Sequence, residues 1–185
     1  MVIQMKETNM TKTTQSWLSE IKSSPAKLEH WLQRQYVGEA LAADRIQKLA
    51  IVMSGQGRKE LLLQKIANDE SKHCEWIKEL LVTRNIPLPE VTIDNTRYWE
   101  PILNQLKSFE EIAGAGHHAE GMRLVRITAL ASDPEIAADI REVFLKILPD
   151  EQMHTKAFAA MSTAEGIEST RAYHEKGLEV LGLEI

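Results

Sequence analysis

The sequence contains one short motif twice. Residues 69–73 read Asp-Glu-Ser-Lys-His and residues 150–154 read Asp-Glu-Gln-Met-His, so both copies follow the pattern Asp-Glu-x-x-His. On a helix, a glutamate and a histidine three positions apart lie on the same face. Each copy can therefore offer a carboxylate and an imidazole to one metal ion, although a single Glu-x-x-His more often marks an exposed ion pair.

Two further glutamates stand at matching positions before the two motifs. Glu39 precedes Glu70 by 31 residues, and Glu120 precedes Glu151 by the same interval. Adding 81 to the first pair of positions gives the second pair. This regularity indicates an internal repeat of a helical hairpin.

The geometry of a helical hairpin explains the interval. The segment from Glu39 to the glycine-containing turn at 54–57 is about fifteen residues, or roughly 22 Å of helix, and about thirteen residues lead back to Glu70. The two carboxylates are therefore expected to face each other at nearly the same height. The repeat also extends to neighbouring positions, because the pair Arg-Ile at 45–46 recurs at 126–127.

Apolar residues recur at three- and four-residue spacing along most of the chain, which predicts an all-α fold. Ser24-Pro25 and Ser108 carry helix-start signals, and Pro134 is expected to open a helix. We expect a short helix at 14–22, helix A at 25–53, helix B at 58–84, a short helix at 99–106, helix C at 109–132, helix D at 134–163 and, beyond Gly166, a last helix at 167–181.

The connections between these helices indicate the architecture. Short turns join A to B and C to D, whereas roughly twenty residues join B to C, and a bundle with one long crossover is a ferritin-like four-helix bundle. Residues 1–13 are expected to be a flexible tail, and residues 14–185 one bundle domain with an extra C-terminal helix.

The motif residues interrupt apolar faces. In helix B, Glu70 and His73 fall on the stripe of Ile66 and Ile77. A buried carboxylate without a partner is costly or becomes protonated. Two divalent cations would neutralise four such carboxylates, with neutral histidines completing the site. Carboxylates with two imidazoles suit iron or manganese better than structural zinc, although zinc can occupy such a site in a preparation.

This pattern resembles the ferritin-like di-iron carboxylate superfamily, which includes rubrerythrins and bacterioferritins. By this resemblance two iron ions are bound, and Glu70 and Glu151 bridge them. Asp69 and Asp150 are each expected to accept a hydrogen bond from the histidine of the opposite motif. A rubredoxin-type site is not encoded, since Cys74 is the one cysteine. The metal ligands implied are Glu39, Glu70, His73, Glu120, Glu151 and His154.

Two residues one turn before Glu39 and Glu120 are candidate catalytic residues. Tyr36 could be redox-active or deliver protons, and His117 could donate a proton or act as a spare ligand. The alternative is core packing for Tyr36 and a hydrogen-bonded histidine for His117. His174 is expected to be a surface residue.

The glycines of the second hairpin can be interpreted in two ways. Gly114, Gly116 and Gly121 lower helix propensity. They either leave room for O2 or a substrate, or allow close helix packing.

Composition limits the partners. The 185 residues carry a net charge of −5, which excludes a basic surface for nucleic acid. The sequence contains no run of about 18 apolar residues, so it predicts no membrane span. The N-terminus is polar and lacks the apolar core of a signal peptide, and a cytoplasmic protein is therefore expected.

Together these features predict a non-haem di-iron oxidoreductase that activates O2 or peroxide and acts on peroxide or a small organic substrate. An external electron donor is an expected partner, and a homodimer is one option for assembly. The alternatives are a ferroxidase or iron-storage protein, and a non-catalytic metal-binding helical bundle.

Overall fold

A computed structural model of the chain describes residues 12–92 and 98–183. These residues form seven helices and no strand, which confirms the all-helical prediction, and one isolated bridge joins Lys12 to Leu183. Apart from Lys12 and Thr13, the expected tail lies outside the described residues. The helices are α1 (Thr14–Ser23), α2 (Pro25–Val52), α3 (Arg58–Thr83), α4 (Glu100–Leu103), α5 (Phe109–Ser132), α6 (Ala138–Met161) and α7 (Ala164–Leu181).

Two helix starts follow from their capping residues. The Ser24 side chain accepts a hydrogen bond from the backbone N–H of Lys27, with Pro25 in the first turn of α2. The Ser108 hydroxyl accepts from the backbone N–H of Glu111 at 3.2 Å and starts α5. Both caps satisfy backbone donors that the first helical turn leaves unpaired.

The expected start of helix D is wrong. α6 begins at Ala138, and Pro134 lies in a turn. The Asp133 side chain accepts a hydrogen bond from the backbone N–H of Glu135 at 2.8 Å, and its carbonyl accepts from Ile136 at 3.2 Å. This turn places Ile136 in the core, 4% exposed, before the helix starts.

The expected role of Gly166 as a separator is also wrong. The helix break lies at Ser162-Thr163, and Thr163 caps α7, which contains Gly166. A Cβ added at Gly166 would lie 2.8 Å from the carbonyl oxygen of Glu110. Glycine at this position therefore lets α7 pack closely against α5.

Four long helices form the body of the structure. α2 packs against α3 and α5 against α6, so each pair joined by a short turn is a hairpin, and α3 packs against α6 to join the hairpins. The backbones of α2 and α5 stay farther apart, and a cavity lies between them. None of the described helices has the length and apolar character that a membrane span needs.

The apolar core consists of two main clusters. One is built around Trp31, Ile77 and Phe144, and the other around Ile46, Ile66 and Phe158. The residues of the two Glu-x-x-His motifs lie between these clusters along α3 and α6. The core is thus divided by a layer of buried polar side chains.

Candidate metal centre

The structure brings the six residues expected as ligands together in this layer. They form two groups in which one donor atom from each residue lies within 4.8 Å of the others. Glu70 and Glu151 belong to both groups. All six are buried, with Glu120 the most exposed at 4%. One group comprises Glu39, Glu70, His73 and Glu151, and the other comprises Glu70, Glu120, Glu151 and His154.

Each histidine contacts the aspartate of the opposite hairpin. His73 Nε2 lies 3.3 Å from Asp150 Oδ2, and His154 Nε2 lies 3.5 Å from Asp69 Oδ2. These contacts cross between α3 and α6. An N–H donated to a carboxylate fixes the ring orientation and leaves the other ring nitrogen free to bind a metal.

That other nitrogen faces the glutamates. His73 Nδ1 lies 3.4 Å from Glu151 Oε1 and 3.6 Å from Glu39 Oε2. His154 Nδ1 lies 3.1 Å from Glu70 Oε1. Each imidazole therefore connects an aspartate on its Nε2 side with the carboxylate cluster on its Nδ1 side.

The hydrogen-bond inventory sets this cluster apart. Among the described residues, the buried side-chain nitrogen and oxygen atoms without a hydrogen-bond partner all belong to the six residues. Unpaired buried polar atoms are rare because each costs free energy, and a bound cation would give all of them a partner. The atoms are Glu39 Oε2, Glu70 Oε1, His73 Nδ1, Glu120 Oε2, Glu151 Oε1 and Oε2, and His154 Nδ1.

Arg123 is a member of the cluster that the sequence analysis missed. Its guanidinium lies 3.4 Å from Glu70 Oε2 and 3.3 Å from Glu151 Oε1, and it also pairs with Glu39. The Arg123 side chain is 19% exposed. One positive charge is thus inserted among the carboxylates.

A signal for Arg123 was present in the sequence. It lies three residues after Glu120, on the same helix face. Its counterpart in the repeat, 81 positions earlier, is Ala42. An arginine that replaces a small residue next to a buried glutamate marks a departure from the repeat at the site itself.

The negative charge of the buried glutamates is neutralised partly by bound protons and partly by Arg123. Burial raises the pKa of Glu39 to about 8, and burial together with the charge of Glu151 raises the pKa of Glu120. Although burial opposes it, the neighbouring carboxylates of Glu151 and Glu39 raise the pKa of His73 to about 11. The cluster therefore attracts positive charge strongly, as a cation-binding site does.

The two candidate catalytic residues lie outside the ligand groups. Tyr36 packs against the first core cluster. His117 Nδ1 donates a hydrogen bond to the carbonyl oxygen of Thr155 at 3.0 Å, and its ring lies beside His118. A catalytic role for either residue stays a prediction.

Two of the three glycines follow the packing interpretation. A Cβ at Gly114 would lie 2.5 Å from the carbonyl oxygen of Gly166, and one at Gly116 would lie 2.7 Å from the Phe158 ring, so both allow close packing. A Cβ at Gly121 would meet no atom within 4 Å.

His174 is half-buried, which corrects its expected surface position. Its ring stacks on His118 at 4.9 Å, and its Nδ1 is hydrogen-bonded to the Tyr98 hydroxyl at 2.6 Å. Burial lowers the pKa of His174 to about 4. The neutral ring thus helps to hold α7 against α5.

Comparisons with protein-family models, with curated proteins and with solved structures give no match. The site is therefore described by its own chemistry. Four carboxylates and two imidazoles, two of the carboxylates shared, form a buried donor set that could hold metal ions.

Proposed function

We propose that this chain is a ferritin-like bundle that binds two metal ions and works as a non-haem di-iron oxidoreductase. The proposal rests on one observation. The buried side-chain nitrogen and oxygen atoms that have no hydrogen-bond partner, among the described residues, are concentrated on these six side chains. These atoms come from all four helices of the two hairpins. A cluster that served only to stabilise the core would be expected to pair its polar atoms internally.

The donor set favours iron, with manganese as the alternative. Carboxylate oxygens dominate it, and the two imidazoles are oriented by Asp150 and Asp69. Two such ions supply redox chemistry toward O2 or peroxide when bound. Six ligands with two shared do not close the coordination of two ions, which is typical of catalytic rather than structural sites.

The residues around the cluster have distinct roles in this proposal. Glu70 and Glu151 would contribute to holding both ions, and His73 and His154 would each contribute to holding one. Arg123 holds the carboxylates together through its positive charge and has to yield part of its contacts to the ions. The apolar clusters on both sides exclude water, which strengthens the electrostatic interactions in the layer.

Arg123 also favours a second candidate, a non-catalytic bundle. In that case guanidinium and protons compensate the glutamates permanently, and metal binding is weak. The two candidates differ in stoichiometry, because the first expects two ions per chain and the second expects none that withstands dialysis.

Elemental analysis and anaerobic iron loading test the proposal. Protein loaded with two equivalents of ferrous iron and mixed with O2 or peroxide is expected to oxidise the iron faster than free solution does, with a transient absorption band. Glu70→Ala should abolish both binding and oxidation, whereas Glu79→Ala, at an exposed position of α3, should change neither. Iron that dialyses away, or that oxidises no faster than free iron, contradicts the enzyme assignment.

A further inference from the structure

Next to the cavity already described lies a second one, of about 300 Å³, between the second half of α2 and the first half of α5. Its wall is mainly apolar and includes Ile46, Leu49 and Phe158. Among the described residues that line it, Glu120 is the one carboxylate and the one member of the metal-site set. A molecule in this cavity, called the apolar cavity below, would therefore contact apolar side chains and one side of the candidate metal centre.

The internal repeat gives the apolar cavity an equivalent groove on the other side of the polar layer. Ile46 corresponds to Ile127 and Phe158 to Ile77, 81 positions away in each case, and both counterparts belong to the first core cluster. In that groove α1 packs against both α2 and α5. The buried side chains that α1 contributes to the same cluster are Trp17, Leu18 and Ile21. The equivalent groove is thus filled by the chain itself.

Arginines related by the repeat mark both places. Arg126 lies 5.1 Å from the centroid of the Trp17 ring, and its counterpart Arg45 lies 4.3 Å from the centroid of the Trp99 ring. Trp99 therefore covers the apolar cavity as Trp17 covers the equivalent groove. The helix that follows Trp99, α4, packs against α7, so this segment covers the cavity without filling the space between α2 and α5.

Two aromatic rings of the filled groove have smaller counterparts near the apolar cavity. The Trp31 ring lies 5.3 Å from the ring of Trp17 and 5.1 Å from that of Phe144, measured between centroids. The counterpart of Trp31 is Ile112, which lines the apolar cavity, and that of Phe144 is Leu63. Aliphatic side chains thus stand where the other half has aromatic rings, and this leaves space of about the size of a ring.

One difference between the halves runs in the opposite direction. Phe158 replaces Ile77, and its ring packs against Gly116, where an added Cβ would lie 2.7 Å from the ring. The counterpart of Gly116 is Gln35. The larger ring is therefore accommodated by the missing side chain at Gly116, and the apolar cavity remains beside it.

The charged side chains of the wall are balanced within the protein. Burial lowers the pKa of Arg45, but the carboxylates of Glu120, Glu70 and Asp44 stabilise its charge. Lys48 is exposed and pairs with Asp44 at 2.7 Å. A charged ligand would lose its hydration in the cavity without gaining an uncompensated partner, so the wall favours an uncharged ligand.

The volume of the apolar cavity limits the size of the ligand. Ligand pockets usually measure about 300–1,000 Å³, so this one lies at the small end. An engineered apolar cavity of about 150 Å³ is large enough to hold benzene. The apolar cavity therefore has room for a molecule of one or two rings.

We propose that the apolar cavity binds a small uncharged apolar molecule, about the size of an indole ring, in contact with Phe158 and Glu120. Glu120 belongs to the same donor group as His154. The bound molecule therefore lies on the side of the candidate metal centre to which these two residues contribute. That such molecules are the substrate class of the centre rests on the proposed function, whereas their binding does not.

Tryptophol, indole-3-acetate and tryptamine are suitable probes. They share one ring system and nearly one size, but they are neutral, anionic and cationic at neutral pH. Titrated into the purified, chelator-treated 185-residue chain and followed by calorimetry, tryptophol is expected to bind at one site per chain. Its affinity should exceed that of either charged probe by at least about tenfold, because neither charge finds a free partner in the cavity.

Two variants that fill the cavity test its location without changing a charge. Ile112→Trp introduces the residue type that the repeat carries at position 31 and should abolish tryptophol binding. Leu103→Trp replaces a side chain that is 46% exposed on the same wall, so it leaves the buried core unchanged and should weaken binding about tenfold or more. Ile51→Trp is the matched control, because Ile51 is 65% exposed and does not line the cavity.

Crystals soaked with 5-bromoindole locate the site directly and require no metal ion. The anomalous signal of the bromine is expected between α2 and α5, beside Phe158 and Glu120. A signal at any other place in the chain would overturn the proposed site.

The outcomes separate this inference from the proposed function. Binding of indole-3-acetate or tryptamine as tight as that of tryptophol, or tryptophol binding unchanged in both filling variants, would overturn it. Tryptophol binding in a chain that does not accelerate iron oxidation supports the site and contradicts only the enzyme assignment. Iron oxidation in a chain that does not bind tryptophol overturns this inference and leaves the enzyme assignment intact.

Discussion

Replacing Arg123 by methionine tests whether its guanidinium compensates the buried glutamates. Methionine keeps most of the side-chain volume and removes the charge. Arg123 contacts all four glutamates of the cluster, the farthest being Glu120 at 3.9 Å. Removing one partner from a buried ion pair destabilises proteins by about 3–5 kcal/mol, because the remaining charge is left uncompensated.

The expected loss lies near the lower end of this range. The raised pKa values of Glu39 and Glu120 mean that protons already relieve part of the repulsion, and Arg123 is 19% exposed. We therefore expect chelator-treated Arg123→Met to lose about 3 kcal/mol of unfolding free energy. For a chain of this length this corresponds to a melting temperature lower by about 6–12 °C.

Metal ions should reverse the effect. Divalent ions can neutralise the glutamates in place of Arg123. The difference in unfolding free energy between wild type and Arg123→Met should therefore be smaller for iron-loaded protein than for chelator-treated protein. By linkage, metal affinity should then rise, up to about 100-fold if the whole 3 kcal/mol is recovered. Arg123→Lys, which keeps the charge, should fall between wild type and Arg123→Met.

Thermal unfolding with and without chelator, and anaerobic titration with ferrous iron, measure both quantities. The Arg58→Met variant controls for the loss of one positive charge. If chelator-treated Arg123→Met unfolds at the wild-type temperature, or if metal affinity falls, then Arg123 does not act as an internal counter-ion and the reasoning is refuted.

Three further predictions follow from the described contacts. Asp69→Ala and Asp150→Ala should each weaken metal binding about 10–100-fold in a competition titration, because the histidine facing each aspartate loses its orienting acceptor. The lowered pKa of His174 means that the unfolded chain binds the proton more tightly, so stability is fully present above about pH 6.5 and declines as the pH falls toward 4, as urea unfolding across this range should show. Gly166→Ala should destabilise by about 1–3 kcal/mol, since the added Cβ meets a backbone carbonyl oxygen of α5. Gly38→Ala, in open space on a helix, should stabilise by up to about 1 kcal/mol, and thermal unfolding compares the two.

Each of these predictions has a clear counter-result. Exposed Asp44→Ala is the control for the aspartates, and unchanged metal affinity in both variants would remove their proposed role. A His174→Gln variant should show a flatter pH dependence than wild type, and identical profiles would contradict the argument. Equal melting temperatures for the two alanine variants would show that the close contact at Gly166 relaxes at no cost.

Much of the fold could be predicted because local chemistry decides it. The serine caps of α2 and α5 depend on residues within one helical turn, so the sequence alone predicts them. The constant interval of 31 residues places two glutamates at one height because helix rise is nearly invariant. The six side chains that the structure brings together follow from these two facts and from the apolar faces they interrupt.

The remaining features depend on contacts between distant segments. Pro134 carries a valid helix-start signal, but Asp133 and buried Ile136 stabilise a turn there instead. Gly166 reads as a breaker until the approach of α5 is known.

The mismatch between Ala42 and Arg123 has a consequence for the history of the fold. A repeat of two hairpins is the expected product of gene duplication, and an ancestor with one hairpin would have paired with its own copy around a twofold axis. In such a homodimer any arginine at this position would appear twice among the four glutamates. A chain that carries both hairpins can instead hold Ala42 in one half and Arg123 in the other, so the polar layer contains one guanidinium among four carboxylates and is asymmetric where a homodimer's would be symmetric.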